Sequence, residues 1–195
     1  QGLDDDSIPA ICPHFGIAEH TAWLGMDAIL QETTSLPLPL IKSPDDFHLL
    51  QLSKQDKWFR YMQTSYEYLA SKKDGTFVLS LRGTMSPMDI ANALCGDDLF
   101  LYFLQEPEFC HRLMDWLVNA ISWYFGHQQS WADSIDGGYV YFFTGGWMPP
   151  HTMGHLSNDT AMLCSSAIYE QFGFPYEAKL VEPYEGVLYH VHNEK

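Results

Sequence analysis

The sequence predicts an α/β fold, and within that class a (β/α)8 TIM barrel of which this chain holds about four or five strands. Short apolar runs typical of strands alternate along the chain with segments of helical periodicity. The strand-like runs are mostly continuous rather than alternating, which indicates a parallel sheet that is covered on both faces. No GxGxxG or GxxxxGK[ST] loop is present, so the open nucleotide-binding sheets are disfavoured and the barrel remains.

The first half of the chain predicts short strands, one long polar helix and a proline-rich surface segment. Prolines exclude a helix from the segment 33–46. Ser43 and Asp45, on either side of Pro44, provide helix-start chemistry. In chain order, we predict a strand leading into a loop at 7–15, a short helix at 19–24, a strand at 26–31, a helix at 54–71 and a turn at 72–75.

The second half predicts the buried strands and the clearest helix. Apolar residues recur at three- and four-residue steps after Pro107, which is typical of a helix with one wide buried face. In chain order, we predict a strand at 76–81, a helix at 88–94, the helix from 107, a strand at 138–143, a long loop with His151 and His155, a helix at 165–172 that continues or restarts at 175–181, and a last strand at 186–192.

The chain is predicted to be a single domain, residues 1–195, and part of a larger barrel. It contains no internal repeat, low-complexity tract or linker. It starts at Gln1 without a methionine and stops at Lys195 directly after a strand-like segment. A TIM barrel normally has eight strands in about 250 residues, so we expect that strands are missing from this chain.

The charge balance excludes several classes of partner. Ten basic and 25 acidic residues give a formal net charge of −15. Such a surface repels nucleic acid and anionic membranes, and no apolar run approaches the ~20 residues that span a bilayer. We therefore expect no nucleic acid and no membrane as partner, and a small molecule as the substrate.

The four cysteines, Cys12, Cys95, Cys110 and Cys164, lie far apart and form no CxxC pair. In a chain of this length, such cysteines indicate reduced thiols rather than a disulfide framework. No signal peptide heads the sequence. Together these features predict a cytoplasmic protein.

Chemically active side chains follow the predicted strands at the points where the strands end. Functional residues of a TIM barrel lie at the carboxyl ends of its strands, so we expect these groups to converge on one site. The candidates are His14, Arg82, His151, His155, Asp159, His190, His192 and Asn193.

His190 and His192 predict a metal site. Residues two apart on a strand point to the same face, so both imidazoles can reach one point. Neutral imidazole is a good zinc ligand, and catalytic zinc takes three protein ligands and leaves one position open. Cys12, Cys164 and Glu194 are available as the third ligand, or it lies outside this sequence. The alternative is a pair of ordinary histidines near a chain end.

The other candidates each have a structural alternative. Arg82 follows a run of apolar residues, so burial of its charge requires either a carboxylate partner or an anionic substrate. Asp159 precedes an apolar helix, where it either caps the helix or serves the site. His151 and His155 lie in a segment rich in proline and glycine, where solvated loop histidines are common.

The longest stretches that carry a family resemblance are IPAICPHFGIAEHTAWLG, LRGTMSPMDIANALCG, LFLYFLQEPEFCHRLMDWL, NDTAMLCSSAIYEQFGFPYEAKLV and GVLYHVHNEK. In this order, and over nearly the whole chain, they resemble the uroporphyrinogen decarboxylase superfamily, which also holds the cobalamin- and coenzyme M-linked methyltransferases. The resemblance implies a TIM barrel of the uroporphyrinogen decarboxylase type, of which this chain is the central part.

Within the superfamily, the last strand resembles the methyltransferases. These carry a zinc-ligating His-x-Cys motif there, so His190 corresponds to the zinc histidine and His192 stands in place of the cysteine. The N-terminal Arg motif and the early Asp motif, by which decarboxylases bind the porphyrinogen, do not appear in this sequence. The resemblance therefore implies zinc as the cofactor and a corrinoid as the co-substrate.

The favoured function is that of a zinc-dependent methyltransferase, which moves a methyl group between a corrinoid and a thiol or similar acceptor. The alternatives are a cofactor-free uroporphyrinogen decarboxylase and a non-catalytic corrinoid-binding partner. The resemblance admits a corrinoid protein and a second copy of the chain, in a homodimer, as partners. The assigned roles are catalysis by Asp159 and His190, substrate binding by His14, Arg82, His151, His155 and Asn193, and zinc binding by His190 and His192.

Overall fold

The structure is a computed structural model that describes residues 8–191. It is an α/β protein, which confirms the predicted class. Its sheets are small and open, and the described residues do not close into a barrel. The TIM barrel is therefore not confirmed.

Helices provide most of the regular structure. Within residues 8–191 the α-helices are α1 (Lys57–Lys72), α2 (Pro87–Cys95), α3 (Asp98–Gln105), α4 (Pro107–Trp131), α5 (Ser166–Ile168) and α6 (Phe174–Val181). A π-helical turn at Tyr169–Gly173 joins α5 to α6, so the helix predicted at 165–172 continues into the one predicted at 175–181. Short 3₁₀ segments lie at Ile17–His20, Ala22–Leu24, Pro44–Leu49 and Thr160–Leu163. None of the helices in this part of the chain is both long and apolar enough to cross a membrane.

Capping side chains fix the starts of two helices. The Asp56 carboxylate accepts hydrogen bonds from the backbone N–H groups of Trp58 and Phe59, at 2.7 and 3.1 Å, where α1 begins. The Ser86 hydroxyl accepts one from the N–H of Asp89, at 3.1 Å, where α2 begins. Both caps satisfy N–H groups that the first turn of a helix leaves without a partner.

The apolar stripe predicted for the long helix is buried, and α4 forms the centre of the core. Trp23, in the 3₁₀ segment Ala22–Leu24, stacks on Tyr124 with ring centroids 4.3 Å apart, which ties the segment after β1 to this helix. Each fully buried side chain of this size stabilises the fold by about 1.5–3 kcal/mol. The buried stripe includes Cys110, Leu113, Met114, Leu117, Ala120, Ile121, Tyr124 and Phe125.

The strands are short. They are β1 (Ala10–Ile11), β2 (Ala28–Leu30), β3 (Ser35–Pro37), β4 (Val78–Leu79), β5 (Thr84–Met85), β6 (Ser134–Ile135), β7 (Gly138–Val140), β8 (Trp147–Met148), β9 (Thr152–Ser157) and β10 (Gly186–His190). β2 and β3 form an antiparallel pair, and β6, β7 and β8 form an antiparallel meander.

The remaining strands are parallel and follow one another in chain order. β1 pairs with β4, β5 pairs with β9, and β9 pairs with β10. β4 and β5 belong to one segment, 78–85, whose Leu81 also forms a parallel bridge with Tyr141. Helices lie in each connection, so the chain alternates strand and helix as predicted. Because these strands are parallel, their carboxyl ends lie at the same edge.

The parallel array stops short of the predicted barrel. Among the described residues β1 pairs only with β4 and β10 pairs only with β9, so both outer strands are open edges. A barrel of eight strands closes only when its strands complete the circumference. The described chain supplies the positions of β1, the segment 78–85, the parallel bridge at Tyr141, β9 and β10.

One predicted loop is a buried strand. The sequence predicts a strand at 138–143 followed by a loop through His155, whereas β7 ends at Val140 and β9 occupies an inner position of the parallel array. Every residue of β9 is buried. His155 is therefore a residue of a core strand, and the solvated-loop alternative for it is wrong.

Candidate functional site

A cleft of about 440 Å³ opens at the carboxyl edge of the parallel strands. Side chains from the ends of β1, the segment 78–85, β9 and β10 form its walls, so residues distant in sequence meet there. The walls include the predicted residues His14, Arg82, His155, Asp159 and His190, together with His20, which the sequence analysis did not single out.

A buried carboxylate that the sequence analysis missed, Glu19, links two of these strand ends. It lies in the 3₁₀ segment after β1 and is only 1% exposed. Its Oε1 accepts a hydrogen bond from Nε of Arg82 in an ion pair and lies 3.1 Å from Nδ1 of His14. Its Oε2 accepts a hydrogen bond from the backbone N–H of Phe15. Glu19 therefore compensates the buried charge of Arg82 and ties the end of β1 to the end of β4.

The described residues provide hydrogen-bond partners for only some of the donors of the Arg82 guanidinium. Nε is bonded to Glu19, whereas Nη1 is buried and has no hydrogen-bond partner among residues 8–191. The guanidinium carbon lies 5.0 Å from the ring centroids of both Phe142 and Phe143, so two aromatic rings contact the cation. Of the two alternatives for Arg82, the carboxylate partner is present, and a donor remains for a ligand as well.

His155 presents two unsatisfied nitrogens at the cleft. The residue is 6% exposed, and neither ring nitrogen has a hydrogen-bond partner in the described part of the chain. Its ring stacks on Phe143 with centroids 4.4 Å apart, and its centroid lies 5.0 Å from that of His190 on β10. Leaving a buried polar atom unsatisfied costs about 1–3 kcal/mol, so such atoms at a cleft indicate a site for a ligand.

Gly83 allows the segment 78–85 to approach His155. Its φ is +88°, and a Cβ on this residue would lie 2.5 Å from the backbone nitrogen of His155, so no other residue type fits. Gln128 of α4 holds the peptide in place by accepting a hydrogen bond from the Gly83 N–H, at 3.2 Å, and donating one to its carbonyl, at 3.0 Å. Arg82 and His155 are neighbours because of this close approach.

The environment of His155 keeps its imidazole neutral at pH 7. Its pKa is lowered to about 4, mainly by burial and also by the adjacent His190 and Arg82, while Asp159 opposes the shift. A neutral imidazole has one donor nitrogen and one acceptor nitrogen, and it is the form that binds metal ions.

His20 is buried beside His155 and is expected to contribute to acid sensitivity. Burial is the main cause that holds the pKa of His20 well below its usual 6.5, and Arg82 lowers it as well. Glu19 lies 4.0 Å from Nε2 of His20, but its charge is paired with Arg82, so desolvation outweighs it. The folded pKa is thus below the unfolded pKa, and stability is lost as the pH falls through the unfolded value.

In His20→Gln, the loss of unfolding free energy between pH 6.5 and 5.5 should be smaller than in wild type by about 1 kcal/mol. The wild-type unfolded state binds a proton at His20 in this range that the folded state does not. Urea unfolding at a series of pH values measures the difference, with the exposed His48→Gln as the control that should follow wild type. Equal pH slopes for wild type and His20→Gln would contradict the burial of a neutral His20.

A buried carboxylate behind the cleft holds the backbone of Asp159. Asp89, in α2, accepts hydrogen bonds from the backbone N–H groups of Asp159 and Thr160, at 3.0 and 2.7 Å, and from the Ser157 hydroxyl, at 3.2 Å. Burial raises the pKa of Asp89, and these N–H bonds oppose the rise. Asp159 makes no capping hydrogen bond with its side chain, so the helix-cap alternative does not hold.

A second buried carboxylate, Glu177 of α6, bonds to the strand that carries His190. Its Oε2 accepts hydrogen bonds from the hydroxyls of Tyr169 and Tyr189, at 2.8 and 2.7 Å, and its Oε1 accepts one from the Asn158 side chain. Burial raises the pKa of Glu177, and the three hydrogen bonds oppose the rise. The position of His190, next to Tyr189, therefore depends on Glu177.

Of the predicted residues that the structure describes, His151 alone does not reach the cleft. His151 is exposed at the amino end of β9, the opposite end from the cleft. It is separated from the site because the segment that follows it is a strand and not a loop. His192 and Asn193 lie outside the described residues.

Zinc fits the donor types of the cleft. No group of three or more metal-ligating side chains occurs within residues 8–191, but His190 and the adjacent His155 offer imidazoles of the kind that zinc binds. Cys12 packs into an apolar cluster with Met62, Tyr66 and Leu79, and burial raises its pKa to about 12. A core thiol of this kind does not suit the third ligand position.

A larger groove, of about 820 Å³, lies between β2 and α1. Its described walls are mainly apolar and aromatic, with Lys57 and Arg60 as the charged residues, and contain no His, Cys, Asp or Glu. Acid–base and metal chemistry require such groups. We therefore assign the candidate site to the smaller cleft.

No protein-family model matches the chain, and no curated protein is significantly similar to it. The functional assignment therefore depends on the chemistry of the cleft and on the resemblance of the segments quoted above.

Proposed function

We propose that the chain is the central part of a (β/α)8 barrel of the uroporphyrinogen decarboxylase type and acts as a zinc-dependent methyltransferase. It would move a methyl group between a corrinoid and a thiol or similar acceptor. The observation that carries the proposal is the meeting of His14, Arg82, His155, Asp159 and His190 in one cleft at the carboxyl edge of parallel strands. TIM-barrel enzymes hold their active sites at this edge.

The order of the strands supports the barrel. Parallel neighbours follow chain order from β1 to β10 with helices in the connections, and this is the order of strands in a (β/α)8 barrel. The open edges of β1 and β10 are the positions at which further strands of a barrel would pair.

His190 and His192 would hold the zinc ion, and the third ligand stays unassigned. Bound zinc lowers the pKa of a thiol and so supplies a nucleophilic thiolate at neutral pH. Glu177 fixes the strand of His190 through Tyr189, and the ring of His155 packs beside that of His190. These contacts keep the His190 imidazole oriented toward the cleft.

The remaining side chains would bind and orient the acceptor. Arg82 would donate a hydrogen bond from Nη1 to an anionic group of the acceptor, and His14, which is fixed by Glu19, lies on the same wall. Asp159 places an exposed carboxylate at the mouth of the cleft, where it is positioned to take up or return a proton. Asp89 holds the backbone that carries it.

A cofactor-free decarboxylase that acts on uroporphyrinogen is the second candidate. Arg82 favours it, because a buried guanidinium with an unused donor holds a carboxylate and stabilises developing negative charge. In the described walls of the cleft, however, Arg82 is the only Arg and no Lys is present. A tetrapyrrole with several carboxylates calls for several cations, so the methyltransferase is the better supported function.

A cytoplasmic location and a corrinoid protein as methyl donor belong to the same proposal. Cys12, Cys95, Cys110 and Cys164 are all free thiols, which is consistent with a reducing compartment. A homodimer is a further element of the proposal, and sedimentation of the purified protein tests it directly.

Full-length protein is expected to purify with about one zinc ion per chain, and His190→Ala is expected to lose both the zinc and methyl transfer, because a catalytic site has only three protein ligands. Metal analysis and an assay of methyl transfer from methylcobalamin to a thiol measure the two effects. The control is His151→Asn at the other end of β9, where φ is +59° and Asn is tolerated.

Absence of zinc from the wild type together with full activity of His190→Ala would exclude the proposal. Conversion of uroporphyrinogen to coproporphyrinogen would select the decarboxylase instead. Tight binding of cobalamin without any turnover would select the non-catalytic corrinoid-binding partner.

A further inference from the structure

We infer that Arg82 and His155 form a subsite for a carboxylate group, so that the cleft takes a small monocarboxylate as its substrate. The inference rests on the proposed function only in treating the cleft as a substrate site. It adds the chemical class of the molecule and assigns the recognition of its carboxylate to Arg82 and His155 together.

Unsatisfied polar atoms on two neighbouring strands carry the inference. Arg82 is 4% exposed and His155 is 6% exposed, and both line the cleft. Nη1 of Arg82 and both ring nitrogens of His155 are buried, and none has a hydrogen-bond partner within residues 8–191. Elsewhere in the cleft, Glu19 already satisfies Nε of Arg82 and Nδ1 of His14. Among the described walls of the cleft, the buried polar atoms that remain without a partner are therefore on Arg82 and His155.

The two side chains lie around the same aromatic ring. The guanidinium carbon of Arg82 is 5.0 Å from the centroid of Phe143, and the ring centroid of His155 is 4.4 Å from it. The backbone of Gly83 lies against that of His155, which keeps the two residues together. An acceptor group with two oxygens is the ligand that suits one guanidinium donor and one imidazole donor.

The charges of the cleft disfavour a ligand with more than one negative charge. Glu19 is paired with Arg82, Asp159 adds a further carboxylate to the wall, and the chain as a whole carries a net charge of −15. A phosphate dianion would meet repulsion that the one shared cation does not offset. A carboxylate carries one negative charge and offers two oxygens, so it is the group that this site fits.

The experiment compares butyrate with its uncharged isostere butyramide, by ligand-observed NMR titration of the full-length protein. The wild type should bind butyrate about tenfold more tightly, the typical effect of a charge-assisted hydrogen bond. Arg82→Lys keeps a positive charge opposite Glu19 but removes Nη1, and it should reduce the preference to about twofold or less. Arg112→Lys is the matched control, because Arg112 also lies over an aromatic ring but outside the cleft. Its guanidinium carbon is 4.4 Å from the ring centroid of Phe47.

His155→Phe keeps the stacking on Phe143 and removes both nitrogens, so it should reduce the preference while the protein stays folded. Treatment with a chelator should leave the preference unchanged, because the carboxylate does not depend on zinc; the subsite and the methyltransferase function can thus fail separately. Equal binding of butyrate and butyramide to the wild type would overturn the inference. It would also be overturned by an undiminished preference in Arg82→Lys or by tighter binding of inorganic phosphate than of butyrate.

Discussion

Glu19→Gln is expected to lower the free energy of unfolding by about 3–5 kcal/mol, because it leaves the charge of Arg82 buried without a partner. Glu19 is 1% exposed and Arg82 is 4% exposed, so water cannot replace the lost carboxylate. The same carboxylate also fixes His14 and the backbone of Phe15. Urea denaturation measures the change as a shift of the transition midpoint.

Two further variants separate charge burial from loss of packing. Glu19→Gln combined with Arg82→Met removes both buried charges and should recover most of the lost stability, because the penalty comes from the unpaired ion. Asp115→Asn breaks the exposed ion pair with Lys179 (2.7 Å) and should cost about 0–1 kcal/mol. A loss for Glu19→Gln as small as that for Asp115→Asn would contradict the buried pair.

Gly83→Ala is expected to destabilise the protein by about 3 kcal/mol or more and to abolish ligand binding in the cleft. The φ of +88° costs a residue with a side chain about 1–2 kcal/mol. In addition, the new Cβ would lie 2.5 Å from the backbone nitrogen of His155. Because the clash is with the backbone of His155, it cannot be relieved by moving a flexible side chain. β5 and β9 would have to move apart, and His155 would be displaced.

Gly75→Ala provides the matched control for this substitution. Gly75 has a φ of +93°, close to that of Gly83, but no atom lies within 4 Å of a Cβ placed there. Gly75→Ala should therefore lower the free energy of unfolding only by the conformational cost of the positive φ, about 1–2 kcal/mol. Equal losses for the two variants, measured by thermal unfolding, would show that the close approach of Gly83 to His155 is not a constraint on the fold.

The alternation of strand and helix was predictable because each element is specified by its local pattern. The long helix α4 has a three- and four-residue apolar period, and the segment around Leu81 is a buried apolar run. Once the strands are taken as parallel, topology alone places their carboxyl ends at one edge. This is why His14, Arg82 and His190 could be assigned to one region without any knowledge of their contacts.

The residues that escaped prediction depend on contacts between distant segments. β9 contains Gly154 and follows two prolines, so its local pattern resembles a loop, and only its pairing with β5 and β10 on both sides makes it a strand. The sequence indicated that Arg82 needs a carboxylate, but it did not indicate which one. The available signal for Glu19 was an acidic residue in the mainly apolar run from Ile17 to Leu24.

The sequence pattern also could not predict whether the sheet closes into a barrel. The apolar runs around Ile11 and Leu188 predict strands, but whether an outer strand has a neighbour depends on the number and tilt of all strands. The observed edges at β1 and β10 are therefore compatible with the local pattern, and the barrel stays a prediction.

The central claim is that neighbouring parallel strands bring their histidines and Arg82 to one cleft. The most direct test is a measurement of nuclear Overhauser effects between ring hydrogens in protein labelled at His and Phe. Cross-peaks from His155 to both His190 and Phe143 are expected, because the ring centroids are 5.0 and 4.4 Å apart. Assigned His155 ring signals that show neither contact would contradict the arrangement on which the site and its proposed chemistry depend.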